Sequence, residues 1–355
     1  MNKVSLGSGL VSFEELKSEV IDTDLCEGCG LCAGFCKAIS LEGGVPTLTG
    51  TCMLSKNANA CGLCFFLCPQ AHPEQITVDD FQPLLSIALR SKDEKLLASA
   101  SNGGFVTTFL RLLLKKKKID AVTAVTGESR SPMAITVTKP SEVTRLAGTR
   151  YSPSGVLNEF GNSIRTNGEN IAVVALPCEM RGVHRLEEHL GMSFLKVSLF
   201  CSNNNRFNED GKTEKLGSCA HCTDFFGKNA DISCGFAGAE KGYTTVVALT
   251  QRGKELLESA MKAGQFESTE SDLVKVKAAQ SRKSAREPAV IQPEIRNRIL
   301  ADLEANGPDV IDSLAERLQV RPDDIIYHLL VLQCSGQINI VENRTNPYKI
   351  VWALA

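Results

Sequence analysis

The chain has 355 residues, 43% of them hydrophobic and 23% charged, which is enough for two to three domains and excludes a disordered chain. Lys and Arg number 39 against 41 Asp and Glu, a net charge of −2, so no global positive field draws nucleic acid or an anionic membrane. No apolar run reaches membrane-span length, and residues 1–13 lack the basic start and apolar stretch of a secretion signal. A cytoplasmic location is expected, with any membrane association made through partner subunits.

Residues 1–85 are rich in cysteine, glycine and short loops. From residue 86 the texture changes. Residues 105–114 read as an amphipathic helix after the turn Ser101-Asn102-Gly103-Gly104. Apolar patches at 119–125, 134–137, 171–176, 194–200 and 244–249 read as short buried strands, with helices expected at 179–190 and 253–263. Residues 86–290 are thus expected to form one α/β domain with a mixed sheet. Residues 264–290 are polar and fit either a helix returning to the core or an exposed linker. Residues 291–355 suggest three helices (293–305, 309–318, 322–333) and two strands (337–341, 348–352), the order of a small winged-helix domain. Pro322 suits the first turn of the third helix, and Asp323 and Asp324 favour its N-terminus.

The unusual feature is 14 cysteines. In a chain without a secretion signal they point to metal or redox chemistry before disulfides. Eight lie between Cys26 and Cys68. The first run is Cys26-x2-Cys29-x2-Cys32-x3-Cys36; the second is Cys52-x8-Cys61-x2-Cys64-x3-Cys68-Pro69. Such spacing wraps three thiolates around a cubane, and the fourth cysteine of each run ligates the other cluster in two-cluster ferredoxins. One [4Fe–4S] cluster is therefore assigned to Cys26, Cys29, Cys32 and Cys68, and another to Cys52, Cys61, Cys64 and Cys36. A pair of structural zinc sites is the alternative, although zinc favours two CxxC pairs farther apart. Two features depart from the ferredoxin pattern: Lys37 follows Cys36 where proline is usual, and eight residues separate Cys52 from Cys61.

Cys178 and Cys201 each follow an expected strand, and Cys219-x2-Cys222 could complete a four-sulfur site with them. Buried hydrophobic cysteines are the other reading of that spacing. Cys234 and Cys334 are expected in the core, and His221 is expected to be a loop residue.

Several motifs recur in a fixed order: Ser101-Asn102-Gly103-Gly104-Phe105, Ala147-Gly148-Thr149-Arg150-Tyr151, Leu176-Pro177-Cys178-Glu179, Leu199-Phe200-Cys201, Cys219-Ala220-His221-Cys222-Thr223-Asp224-Phe225 and Gly242-Tyr243-Thr244-Thr245. The series resembles the coenzyme F420 hydrogenase/dehydrogenase beta subunit family over about residues 12–285. The resemblance implies FAD and a [4Fe–4S] cluster in the α/β core, with Cys178, Cys201, Cys219 and Cys222 at the cluster-ligand positions. It implies a flavin contact at Ser101, Asn102, Gly103 and Gly104, where a glycine pair opening a helix allows close backbone approach to an anion. Arg150, beside Tyr151, stands where the family often has Lys and keeps a cation for a phosphate or the acidic tail of F420.

The implied activity is that of an F420-dependent iron–sulfur flavoprotein oxidoreductase. Coenzyme F420 exchanges a hydride, FAD converts it to single electrons, and three [4Fe–4S] clusters carry those onward. No catalytic side chain is expected beyond this flavin-centred transfer. The expected partners are other subunits of a redox complex or a ferredoxin. A formate dehydrogenase beta subunit, a flavin-free electron-transfer subunit and a redox-sensing transcription regulator are the alternatives. Residues 291–355 hold six basic and nine acidic residues, which favours partner docking over DNA binding.

Overall fold

The structure is a computed structural model and describes residues 13–52, 62–207, 212–289, 294–320, 322–334, 337–342 and 350–355. Cys61 and the expected strand start at Tyr348 lie outside the described residues, as do the side chains of Asp323, Asp324 and Cys334.

Two short helices carry the N-terminal cysteines. α1 (Leu31–Phe35) follows Gly28 and Gly30, whose φ values of 69° and 81° need glycine to turn the loop back on itself. β1 (Ile39–Glu42) and β2 (Val45–Leu48) form a hairpin across Gly43-Gly44, both at positive φ as a tight primed turn requires. α2 (Leu63–Leu67) is preceded by Gly62 at φ 55°.

The central domain is a mixed eight-stranded sheet between two helical layers. Its elements are β3 (Leu85–Ser91), α3 (Phe105–Lys115), β4 (Ala121–Glu128), β5 (Ser131–Val137), α4 (Val156–Asn167), β6 (Ile171–Ala175), α5 (Pro177–Leu190), β7 (Leu195–Leu199), β8 (Ile232–Gly235), β9 (Thr244–Ala248), α6 (Gln251–Met261), β10 (Phe266–Thr269) and α7 (Leu273–Ser284). The strand order is β10-β3-β9-β8-β7-β6-β4-β5. β8, β7, β6 and β4 run parallel, and the flanking pairs are antiparallel. All five residues of β6 and of β9 are buried, as expected for strands covered on both faces. Phe105, Phe109 and Leu257 cover one face; Phe160, Met180 and Leu186 cover the other.

The expected strands and helices of this domain are present within a few residues. β3, α4 and β8 were not anticipated. Residues 264–290 are not an exposed linker: β10 closes the sheet edge and α7 returns to the core.

The last segment comprises α8 (Glu294–Asn306), β11 (Asp309–Val310), α9 (Ile311–Leu318), α10 (Pro322–Cys334), β12 (Ile338–Glu342) and β13 (Ile350–Leu354). Its sheet order is β11-β13-β12, around the buried Trp352. Asp309 and Val310 pair with Trp352 and Val351, so the second helix starts two residues later than expected.

Glycine contacts seat the N-terminal segment on the central domain. α1 crosses α4 at Gly34 and Gly161, where a Cβ on Gly161 would meet the Gly34 carbonyl oxygen at 2.6 Å. Gly182 of α5 likewise leaves room for Leu31 and Pro69. The Arg185 guanidinium stacks 4.6 Å from the Phe66 ring centroid and donates to the Phe66 carbonyl at 2.7 Å. Among the described residues, no helix is long and apolar enough to cross a membrane.

Candidate functional site

Two parallel neighbours set up the central site. β6 and β7 pair with Ala175 opposite Ser198, so their carboxyl ends lie at the same sheet edge. That edge is where open α/β sheets bind ligands. Just beyond it, Cys178 sits in the first turn of α5, after Pro177, and Cys201 sits two residues past β7. Pro177 suits the first helical position because its missing N–H would be unpaired there. The carboxylate of Glu179 accepts from the Leu176 amide at 2.7 Å and satisfies one orphan donor of that helix end.

Cys219 and Cys222 arrive on a loop held from two directions. The Asn204 amide donates to Cys219 Sγ at 3.2 Å, and the Cys201 amide donates to the Phe225 carbonyl at 3.0 Å. α7 holds the loop from behind. Its buried stripe is Val276, Ala279, Gln280 and Lys283. The fully buried Gln280 donates to the carbonyls of Ile76 and Thr223, and its Oε1 accepts from the Phe225 amide at 2.9 Å. Lys283, 3% exposed, donates from Nζ to Cys222 Sγ at 3.0 Å and to the Asp224 carbonyl at 2.9 Å. Arg286 donates to the Cys219 carbonyl at 2.7 Å. Cys178, Cys201, Cys219 and Cys222 together line one hollow, with Glu27, Gln70, Glu179 and Lys283 in its wall.

A second hollow is lined by Cys26, Cys29, Cys32 and Cys68, the set that the spacing groups together. The rest of its wall includes Leu16, Val20, Ile21, Leu31, Pro46 and Pro69, with no lysine or arginine among the described residues. Glu27 and Gln70 line both hollows, so the two are neighbours across this pair. Gln70 Nε2 donates to Glu27 Oε2 at 2.7 Å.

Burial dominates the electrostatics. It pushes the Cys26 thiol up to about 11 and Cys68 and Cys201 up to about 12, and it lifts Cys29, Cys32 and Cys178 well above the ordinary range. Burial also raises Glu27, and it raises Glu179 to about 8 with help from the neighbouring Glu27 carboxylate. On Lys283 and Arg181 burial works against the charge, but the adjacent sulfurs outweigh it, Cys222 first, and hold both cations charged. Arg181 Nε is buried with no hydrogen-bond partner among the described residues.

Of the second ferredoxin set, Cys36 and Cys64 pack, half-buried, against the same hydrophobic cluster as Cys26 and Cys68, and Cys52 is half-buried. Among the described residues no cysteine is in a disulfide, and no three His, Cys, Asp or Glu side chains gather closely enough to grip a single metal ion. The sulfurs ring hollows instead. A donor set of four thiols around a cavity, with buried cations turned toward one of the sets, has the chemistry that an anionic iron–sulfur cluster requires.

The glycine turn sits at the carboxyl end of β3, where the Ser91 amide donates to the Gly103 carbonyl at 2.7 Å. A Cβ on Gly103 would collide with backbone atoms of Leu89, Tyr243 and Thr244. Asn102 ties this turn to the 242–243 loop: its amide donates to the Tyr243 carbonyl and its oxygen accepts from the Gly242 amide. Ser101 Oγ accepts from the Thr149 amide at 2.7 Å. Arg150 directs Nε and Nη1 to the carbonyls of Gly127, Ala147 and Gly148. Tyr151 is exposed. The structure thus brings Ser101–Gly104 and the Arg150 loop together, with these polar groups engaged in backbone contacts. Cys234 is fully buried in β8, and the exposed His221 donates from Nδ1 to the Glu287 carbonyl at 3.1 Å. Sequence reasoning missed Glu27, Gln70, Gln280, Lys283 and Arg286. Glu27, inside the first CxxC, and Gln70, after Cys68-Pro69, were the available signals.

Cysteines grouped at the strand ends of a mixed α/β sheet define a redox-type scaffold. Residues 86–159 match the N-terminal part of the coenzyme F420 hydrogenase/dehydrogenase beta subunit family, and residues 212–273 match its C-terminal part. Both parts of that family's model are thus matched, in order, across the central domain. It is 24% identical over 300 residues to the coenzyme F420-dependent sulfite reductase of Methanocaldococcus jannaschii, covering 69% of this chain and 47% of that one. The chain therefore spans about half the length of that relative. The coenzyme F420 hydrogenase subunit beta of Methanosarcina barkeri is 26% identical over 254 residues (57% of this chain, 87% of that one). One of the subunits of the F420H2 dehydrogenase of Methanosarcina mazei is 23% identical over 297 residues (67% and 83%). A chain from a solved structure of the F420-reducing [NiFe] hydrogenase complex of M. barkeri shares the fold, with a TM-score of 0.52, 19% identity, and coverage of 63% of this chain and 94% of that one.

Proposed function

We propose that this chain is an iron–sulfur flavoprotein oxidoreductase that passes electrons between coenzyme F420 and iron–sulfur centres through FAD, as a subunit of a larger redox complex. The observation that carries the reading is the pair of adjacent four-cysteine hollows sharing Glu27 and Gln70. Sulfurs ringing a hollow suit a cubane, which sets iron and sulfide between them, better than a single zinc ion. Cys26, Cys29, Cys32 and Cys68 would hold one [4Fe–4S] cluster, and Cys178, Cys201, Cys219 and Cys222 another. Cys36, Cys52, Cys61 and Cys64 are assigned to a third.

FAD, when bound, supplies the exchange between hydride and single-electron chemistry. The chain's own work is positional. The turn Ser101–Gly104 and the loop of Arg150 and Tyr151 form the flavin side of the sheet edge, and Arg150 stiffens that loop through its three carbonyl contacts. The shared Glu27 and Gln70 keep the two hollows adjacent. Homologues named as F420-dependent hydrogenase, dehydrogenase and sulfite reductase support F420 as the hydride partner.

Residues 291–355 are read as a winged-helix-like docking module. Ile340, Val341, Ile350 and Leu354 are exposed apolar side chains on its two paired strands, suited to protein and not to phosphate.

The test is anaerobic purification with iron and flavin measured per chain, then addition of F420H2 under spectroscopy. About twelve irons, one FAD and bleaching of the clusters are expected. Full cofactors without bleaching would remove F420 as donor; zinc in place of iron, or no flavin, would defeat the reading.

A further inference from the structure

The helix α7 begins where the family match ends, at residue 273, and its buried face is half polar. An isolated buried ammonium costs several kcal/mol unless an anion faces it. Lys283 is 3% exposed, and Gln280, one turn earlier on the same buried stripe, is fixed by hydrogen bonds to Ile76, Thr223 and Phe225. The two Asp224 carboxylate oxygens accept from the amides of Gly227 and Lys228, and Lys283 donates to the Asp224 carbonyl instead. Its other hydrogen bond goes to Cys222 Sγ at 3.0 Å.

We infer, resting on the iron–sulfur reading above, that Lys283 sets the reduction potential of the centre held by Cys178, Cys201, Cys219 and Cys222. Reduction adds one electron to an already anionic centre. A fixed positive charge bonded to one of its sulfurs stabilises the reduced form more than the oxidised form and raises the potential. Among the described residues, the neighbouring hollow of Cys26, Cys29, Cys32 and Cys68 has no lysine or arginine in its wall.

The experiment is an EPR-monitored redox titration of the anaerobically purified full chain with dithionite as reductant, comparing wild type, Lys283→Gln and Lys283→Arg, with iron counted in each. Lys283→Gln should lower the midpoint of one centre by about 59 mV, a tenfold change in a one-electron equilibrium, and leave the others unmoved. Lys283→Arg should retain most of the wild-type value. An unchanged midpoint in Lys283→Gln at full iron, or an equal fall in Lys283→Arg, overturns the inference. Should Lys283→Gln assemble without that centre, wild type labelled with 15N at the lysine ε position decides: a 15N coupling to the reduced centre is expected, and its absence overturns the role. Wild type lacking the centre altogether would sink the iron–sulfur reading itself, a result distinguishable by iron content alone.

Discussion

The two hollows share a wall but are built in opposite ways. The one at Cys26, Cys29, Cys32 and Cys68 is wrapped by two short segments with glycines at positive φ, and its surroundings are mostly aliphatic. The one at Cys178, Cys201, Cys219 and Cys222 is assembled from two strand ends and a loop, and a helix further along the chain braces it with Gln280, Lys283 and Arg286. The first is a local structure stapled onto a domain; the second is a product of the domain's tertiary fold. A four-thiol site can thus be made by chain geometry or by sheet geometry, and among the described residues only the latter has a lysine in its wall.

This contrast can be broken most directly at the sulfurs. Cys29→Ser should lose about four irons and leave the central sheet's unfolding temperature nearly unchanged, while Cys201→Ser should lose about four irons and lower it, read by iron analysis and calorimetry. A smaller effect is expected at the contact between the two regions. Gly161→Ala drives a methyl into the Gly34 backbone, where no flexible side chain can yield, and should cost about 3 kcal/mol in denaturant unfolding. The bracing of the second site is sharpened by Gln280→Leu, which strands the Phe225 amide and the Thr223 carbonyl; about 2 kcal/mol should be lost.

The smallest effect is electrostatic. Lys228 Nζ, 2.8 Å from Asp80, holds that carboxylate below its usual range, with the Thr77 amide second. The unfolded chain then binds the proton more readily, so the contribution is full at neutral pH and fades as pH falls through the carboxylate range. Side-chain exposures of 42% and 24% keep it below about 1 kcal/mol. The stability gap between wild type and Asp80→Asn should close between about pH 5 and pH 3 in urea titrations.

Sequence legibility follows the same division. The Cys26–Cys68 grouping was readable because sulfur spacing along a short loop is itself the geometry, and the strands β4, β6, β7 and β9 were readable as unbroken apolar runs. Residues 264–290 were not readable, for a physical reason: the stripe Val276, Ala279, Gln280 and Lys283 has helical spacing, but two of its four buried positions are polar, so no apolar periodicity marks it. β3 was obscured by Ser86, Arg90 and Ser91, and its place between β9 and β10 follows from pairings far along the chain. Asp309 and Val310 looked like a helix start because the partner strand at Val351 and Trp352 comes more than forty residues later.

The position of Lys283 along the chain carries a consequence for biosynthesis. During translation the first four-sulfur pocket is covalently complete once Cys68 has been added, while the second lacks its brace until α7 has been made. The order of the parts is thus set by the gene: all four thiols of the N-terminal pocket precede the central domain, and the brace of the central pocket is made last of its parts.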